Sequence, residues 1–480
     1  MKTNFKYFAI ITLFYCIIPN FILARTIDVN SAVVLEEVIK NAVGGDTIFL
    51  HGRIILNSPI EIECSGTEAR PIVITSVEGE SRPVIDGNST TVRNLIIKGN
   101  YLKFYGIEIV NSADNGIWVD GGSYCVFENL IIHHNAESGM WLSNNASYNI
   151  IKNCDSYDNI DDDQEDADGF APKLTVGTGN YFYGCRAWEN ADDGYDGYMR
   201  GADRTIVTYY DHCIAYRNGY VNNSNGRGDG TGFKLGGWDE GNPRAHNAVV
   251  TNCLAALNLH SGFNRNKNIG DMRIFNCSAY NNGVASGDRN FYFGGGDVSM
   301  RTGDSLIIHN CASYHDSNRH CNSAATPRIV NYNSWSMGGC AESDFVSLDP
   351  SIIIVERNAD GSLPDLSFMK PSEGSTLIDK GINVGLDYKG KSPDLGWKEY
   401  EETLAIGSVS NTAVKITHVD DNIIVRCEEP IAQVSVYDLN GLLIAERTGY
   451  SKHIVMDVVK SSLYLVRVVL NGKSIGYKIR

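Results

Sequence analysis

Residues 154–170 read CDSYDNIDDDQEDADGF, and residues 185–195 read CRAWENADDGY. Each opens on a Cys, places an Asn five residues on, and closes through a loop on Gly-aromatic: Cys154, Asn159 and Gly169-Phe170, then Cys185, Asn190 and Gly194-Tyr195. The same order returns in Cys213, Asn218 and Gly232-Phe233, and in Cys253, Asn258 and Gly262-Phe263. Cys277 with Asn282 and Cys311 with Asp316 repeat its first half. A unit this short cannot bury a face alone, so copies must stack on a shared core. Short β-rich units without helical periodicity predict a parallel β-helix, in which equivalent positions of successive coils lie about 4.8 Å apart. The repeat is therefore a ruler for which side chains meet.

Aligned on Gly-aromatic, Asp168 and Asp193 hold one position on neighbouring coils. Asp196 and Lys234, each two residues past the Gly, hold another, and Asp192 adjoins Asp193. This predicts one patch of four carboxylates with a lysine beside it. Like charges so close raise one another's pKa, so either some stay protonated or a cation sits among them. An all-oxygen cluster matches a hard cation such as Ca2+, which takes six to eight oxygens. Softer metals call for His or Cys, and neither is interleaved here. The bland alternative is that these aspartates only cap turns. The acidic run 161–166 reads as a solvated loop.

The chain has 480 residues. Residues 1–24 read as a signal peptide: Lys2 and Lys6, an apolar run over 8–18, then a small residue at Ala24. The run is too short for a membrane span, so a secreted protein (extracellular, cell-surface or periplasmic) with no integral membrane segment is expected. Twelve cysteines in such a chain first suggest disulfides. The repeat instead puts Cys154, Cys185, Cys213, Cys253, Cys277 and Cys311 at one inward position, as a stack of buried thiols. No CxxC pair suggests zinc. A net charge of −16 argues against nucleic acid as partner. An acidic ligand would need local cations.

Residues 31–43 carry Val33, Val34, Leu35, Val38, Ile39 and Val43 near a helical period and stop at Gly44-Gly45, which predicts a helix capping the open end of the β-helix. Strand-like runs follow over 47–50, 72–75, 94–97, 102–109 and 125–132. The corner Asn of each cassette is read as structural, bonding its turn and the next coil. The repeat fades over 343–400, a turn-rich tail around the last coils. The expected catalytic domain spans 25–402. Alternating runs from about 404, with an Asn471-Gly472 turn, predict a small antiparallel β-sandwich over 403–480. The fold class expected is all-β: a right-handed parallel β-helix, then this domain. A monomer is expected.

The segment Asp166-Ala167-Asp168-Gly169-Phe170-Ala171-Pro172-Lys173-Leu174-Thr175-Val176-Gly177 resembles the signature of the family 9 polysaccharide lyases, β-helical pectate lyases and their relatives. So do Asp192-Asp193-Gly194-Tyr195-Asp196 and Gly232-Phe233-Lys234-Leu235-Gly236-Gly237, in the same order and with similar spacing, over about residues 27–400. The resemblance implies that Asp168, Asp192, Asp193 and Asp196 bind Ca2+ and that Lys234 is the catalytic base. Tyr195, where the family often has Trp, is expected beside the metal. The end of the chain looks like a Bacteroidetes secretion sorting domain.

β-Elimination from a uronic acid polymer takes the C5 proton, stabilises the resulting charge and breaks the bond at O4. A cation on the carboxylates would neutralise the sugar carboxylate. Lys234 can take the proton only when neutral, and its reference pKa is about 10.4, so it needs an alkaline medium or a downward shift; an alkaline optimum and an absolute calcium requirement are expected. Lys173, Arg200 and Arg265 are candidates for binding sugar carboxylates. The expected partner is an acidic plant cell-wall polysaccharide, polygalacturonate (homogalacturonan) first and rhamnogalacturonan I second. Two rivals stand beside this reading: a β-helical polygalacturonase using paired carboxylates, and a non-catalytic polysaccharide-binding β-helix.

Overall fold

The structure, a computed structural model, describes residues 24–202, 205–283, 289–294, 298–316, 321–323, 327–401, 414–419, 422–437, 443–458, 464–470 and 473–479. The signal-peptide reading falls outside these residues apart from Ala24, as do the 402/403 boundary and the Asn471-Gly472 turn. The chain divides into two compact units, Met1–Tyr400 and Glu401–Arg480.

The first unit is a right-handed parallel β-helix. Its strands recur in three parallel sheets, with twelve, ten and ten strands among the described residues. The coil is built from very short strands because one residue suffices to turn a corner. The runs 102–109 and 125–132 each break into two strands, Leu102–Tyr105 with Glu108–Val110 and Val126–Glu128 with Ile131–His133. At the break sit Gly106 (φ 65°) and Asn129 (φ 56°), followed on later coils by Asn153 (φ 53°) and Gly184 (φ 62°). Gly and Asn are the residues that enter this left-handed region at least cost.

Side chains alternate across each strand, so one row of the third sheet fills the interior. Phe170, Tyr195, Phe233, Phe263 and Phe291 follow one another in register, all fully buried. Their rings stack at 5.4, 4.6, 4.9 and 5.0 Å between centroids. Such offset stacking adds to the burial of large apolar area. Cys154, Cys185, Cys213, Cys253, Cys277 and Cys311 are buried free thiols, as the repeat required. The corner asparagines form a ladder: the Nδ2 groups of Asn135, Asn159, Asn190, Asn218, Asn258 and Asn282 donate to Oδ1 of the next Asn at 2.8–2.9 Å, ending on Asn290. Each buried amide is thereby satisfied by its neighbour.

The N-terminal helix spans Ala32–Lys40, shorter than 31–43. Residues after it turn back because Asp46 accepts the Val43 N–H and pairs with Arg25. Leu35 and Ile39 join the interior cluster, so the helix covers that end of the core. Residues 343–400 carry no long elements, yet Phe345, Ile353, Leu366, Phe368, Leu377, Leu395 and Trp397 pack on Ile214, Leu254 and Ala312, the outer face of the second sheet. The same tail is pinned by a buried ion triad. Asp155 takes Arg186 at 2.7 Å and Arg357 at 2.7 Å, and Arg357 also donates to the Cys154 and Gly184 carbonyls. Burial would raise the Asp155 carboxyl, but the two guanidinium groups hold it below its ordinary value. Its contribution is therefore present above the unfolded carboxylate pKa of about 3.9 and is lost as pH falls through the folded value. Asp155→Ala strands two buried arginines and is expected to cost about 3–5 kcal/mol. Thermal unfolding from pH 3 to 7 checks this: the variant should melt lower at pH 7 and lose less than the wild type on acidification.

In the second unit Lys415–Val419, Asn422–Tyr437, Leu443–Asp457, Tyr464–Leu470 and Lys473–Ile479 pair antiparallel in one hydrogen-bonded sheet, with the register shifting between Arg426 and Ile431. Its own core includes Ile423, Ile431, Val434, Met456, Tyr464 and Val468.

Candidate active site

The outward row of the third sheet reads Ile96, Trp118, Trp141, Ala171, Asp196, Lys234, Asn264 and Tyr292, coil after coil. Asp196 pairs in register with Lys234, the position the repeat assigned to both. Two residues before each inward residue of this sheet (Leu95, Ile117, Met140, Phe170, Tyr195 and Phe233) runs a second row: Arg93, Asn115, Ser138, Asp168, Asp193 and Thr231. The turn between the two rows carries the site.

Asp168 and Asp193 are fully buried, and Asp192 and Asp196 nearly so. Carboxylate oxygens of Asp168, Asp192 and Asp193 lie within 4.8 Å of one another. Asp168 accepts from Ser138 Oγ at 3.1 Å and from the Asp193 N–H at 3.2 Å. Asp193 accepts the Thr231 N–H at 2.7 Å, and its other oxygen lies 2.8 Å from Lys234 Nζ. Asp192 accepts the N–H groups of Asp229 and Gly230 at 2.5 and 3.3 Å. Asp196 accepts the Tyr198 N–H at 2.9 Å. Lys173 ties Asp196 to the cluster, with Nζ 2.5 Å from Asp168 and 3.3 Å from Asp196. Lys234 also reaches Asp229 at 3.1 Å and Asp196 at 4.0 Å.

Electrostatics follow from burial and crowding. Burial pushes Asp168 up to about 6 against the pull of Lys173. Burial raises Asp192 and Asp193 well above the carboxylate range, with neighbouring carboxylates adding to it. Asp196 goes the other way: burial would raise it, but Lys234 and Lys173 hold it low. Burial would lower Lys234, but Asp193, Asp196, Asp192 and Asp229 hold its ammonium well above the ordinary range. Lys173 is raised for the same reason by Asp168 and Asp196. Buried oxygens, raised carboxyls and the absence of His and Cys donors in this cluster fit a hard divalent cation.

The cluster opens into a cleft of about 610 Å³, lined by Arg93, Trp141, Lys173, Tyr198, Arg200, Arg227 and Lys234 with several acidic groups. Sequence reasoning brought Asp168, Asp192, Asp193, Asp196 and Lys234 together, and they are together. Lys173 lines the cleft with its ammonium engaged between Asp168 and Asp196. Arg200 lies on the rim, 3.2 Å from Asp239. Arg265 is a correction: it is fully buried and donates to the Asn268 and Val298 carbonyls. Asn264 occupies the outward position, so the residue after it must point inward. Tyr195 is a second correction. Its ring lies in the core, with its hydroxyl donating to the Cys185 carbonyl at 3.0 Å, and it is not beside the carboxylates.

Asp229 and Arg227 were missed. They lie in the insertion Gly226-Arg227-Gly228-Asp229-Gly230, which breaks the cassette spacing and so the ruler. The glycines were the available signal: a Cβ on Gly228 would fall 2.6 Å from Asp192 Oδ1, so only Gly lets this backbone cover Asp192.

Residues 25–299 match the family model described as Pel9A-like, right handed beta helix region. Pectate lyase L of Dickeya dadantii (strain 3937) is 38% identical over 306 residues, covering 62% of this chain and 67% of that protein. The crystal structure of pectate lyase Pel9A is 31% identical with a TM-score of 0.69, covering 79% of this chain and 98% of that one. A rhamnogalacturonan lyase structure shares the fold at 24% identity and a TM-score of 0.61, over 71% of this chain and 92% of that one.

Proposed function

The chain belongs to the Pel9A-like family of right-handed β-helices and is a polysaccharide lyase of the pectate lyase type, and we propose that it cleaves polygalacturonate by β-elimination with Lys234 as base and Ca2+ held by Asp168, Asp192, Asp193 and Asp196. The observation that carries this reading is Lys234 Nζ 2.8 Å from Asp193, at the edge of a buried all-carboxylate cluster that opens into a cleft. When bound, the cation would neutralise the sugar carboxylate and the charge that develops beside C5. Lys234 accepts the C5 proton at Nζ. Asp229, 61% exposed and 3.1 Å away, orients that amine and links it to solvent. Tyr198, its ring centre 5.9 Å from Lys234 Nζ, walls the cleft beside the base. The negative field of Asp193, Asp196, Asp192 and Asp229 keeps Lys234 charged, so the base becomes available only when that field is offset. A signal peptide at residues 1–24 would deliver the enzyme outside the cytoplasm, where its polymer is found. No helix among the described residues is long and apolar enough to cross a membrane.

The test is ultraviolet absorbance of the unsaturated product on mixing the protein with polygalacturonate, and separately with rhamnogalacturonan I, with calcium or with excess chelator. A calcium-dependent rise, faster on polygalacturonate and faster at alkaline pH, is expected. New reducing ends without absorbance would mean hydrolysis. A faster rise on rhamnogalacturonan I would move the assignment to that backbone.

A further inference from the structure

The two rows that build the catalytic cluster continue past it toward the N-terminus, with different chemistry. The row of Asp168 and Asp193 carries Arg93 three coils before Asp168. The row of Asp196 and Lys234 carries Trp141 two coils before Asp196 and Trp118 three coils before it. By the coil spacing these rings lie about 10 and 14 Å from Asp196 along the helix axis, and one coil further from Lys234. Arg93 and Trp141 line the same cleft as Lys173, Asp196 and Lys234.

This arm is built rather than incidental. The two indoles stack at 5.1 Å with planes 9° apart. Trp118 Nε1 donates to Ser143 Oγ at 2.8 Å, which fixes its orientation. The Arg93 guanidinium lies 4.4 Å from the Trp118 ring centre and 5.7 Å from that of Trp141. Asp114 engages Arg93 only through Nε, at 3.3 Å, and its terminal nitrogens make no hydrogen bond among the described residues. On the next coil Ala171 replaces a third ring, so the stack stops one coil before Asp196. Glu137, which lines the same cleft, is pushed up to about 7 by burial and Asp161.

We infer that Trp141 and Arg93 form a distal sugar subsite, in which a pyranose ring two to three units from the scissile bond lies against Trp141 and its carboxylate meets Arg93. One sugar unit is about as long as one coil is deep, so a chain running along the helix axis from Lys234 brings a unit to each ring in turn. Apolar sugar faces stack on indoles, and a guanidinium with free terminal donors is made for a carboxylate. The inference rests on the lyase reading and adds a chain-length dependence to it.

The test compares wild type, Trp141→Ala, Trp141→Phe and Arg93→Gln on trigalacturonate and hexagalacturonate, with calcium affinity measured by calorimetry. Trp141→Ala and Arg93→Gln should lower kcat/KM on the hexamer about tenfold, change it less than about twofold on the trimer, and leave calcium affinity unchanged. Trp141→Phe, which keeps the stack, should fall between. Binding of the hexamer to the inactive Lys234→Met form should weaken by the same factor when Trp141→Ala is added. Equal losses on both lengths, or no loss on the hexamer, would overturn the subsite. A wild type that cleaves neither length would overturn the lyase reading itself.

Discussion

Lys234→Met is expected to lower kcat on polygalacturonate by about 10²–10⁴-fold, the range for loss of a general base, with calcium binding retained. Its side chain is nine-tenths buried and sits 2.8 Å from Asp193 and 3.1 Å from Asp229. Nothing else among the described residues offers a neutralisable amine at this place: Lys173 is engaged between Asp168 and Asp196. Removing a positive charge beside the cluster should, if anything, tighten calcium. Lys234→Arg separates base from counter-ion. It keeps the charge, but a guanidinium does not deprotonate in proteins, so it should be as inactive as Lys234→Met while preserving the metal-free melting temperature better. An Arg variant within about tenfold of wild type would show that Lys234 acts by charge alone and would remove it as the base.

The pH dependence has a definite sign. In the metal-free protein Asp193, Asp196, Asp192 and Asp229 hold Lys234 protonated well above the ordinary lysine range. The fraction of free base therefore grows with pH, and offsetting the carboxylate charge moves that growth to lower pH. Activity should climb through the alkaline range with calcium and stay negligible in chelator at the same pH. A stopped assay across pH 6 to 11 in both conditions reads this.

Much of this site was legible because a β-helix turns sequence register into distance. Gly194-Tyr195 aligned on Gly232-Phe233 put Asp196 on Lys234, and the backbone pairs them in that way. Gly169 aligned on Gly194 put Asp168 beside Asp193, and an N–H of one bonds the oxygen of the other. What stayed hidden lies where register fails. Asp229 sits in an insertion longer than the cassette allows, and only the backbone fold returns it to Lys234. Lys173 was visible as a cation of the cleft, but a flexible four-carbon side chain carries no register, and its choice of Asp168 and Asp196 is set by burial. Arg265 was placed one residue off the outward row, and alternation sent it into the core. The corners at Gly106 and Asn129 were invisible within apolar runs because a single left-handed residue bends the chain without interrupting the hydrophobic pattern.

Asp193→Asn should produce the second large effect, and a different kind of effect. Among the described residues Asp193 is the one carboxylate that both belongs to the 4.8 Å oxygen cluster and contacts the base. The amide keeps its size and can still accept the Thr231 N–H, so the turn should hold. It loses a charge from the donor set, and donor charge is what sets affinity at oxygen sites across orders of magnitude, so calcium affinity should fall about 100-fold or more. At low calcium the variant should look as inactive as Lys234→Met. The two then part. Raising calcium restores turnover in Asp193→Asn, because the base is still present, and does nothing for Lys234→Met. At saturating calcium the variant should also work at lower pH than wild type, since one of the carboxylates that keeps Lys234 charged is gone. A calcium titration of kcat at two pH values reads both effects. A variant that calcium cannot rescue, although its melting temperature matches wild type, would mean that Asp193 acts on Lys234 and not on the cation, and the ligand set would shrink to Asp168, Asp192 and Asp196.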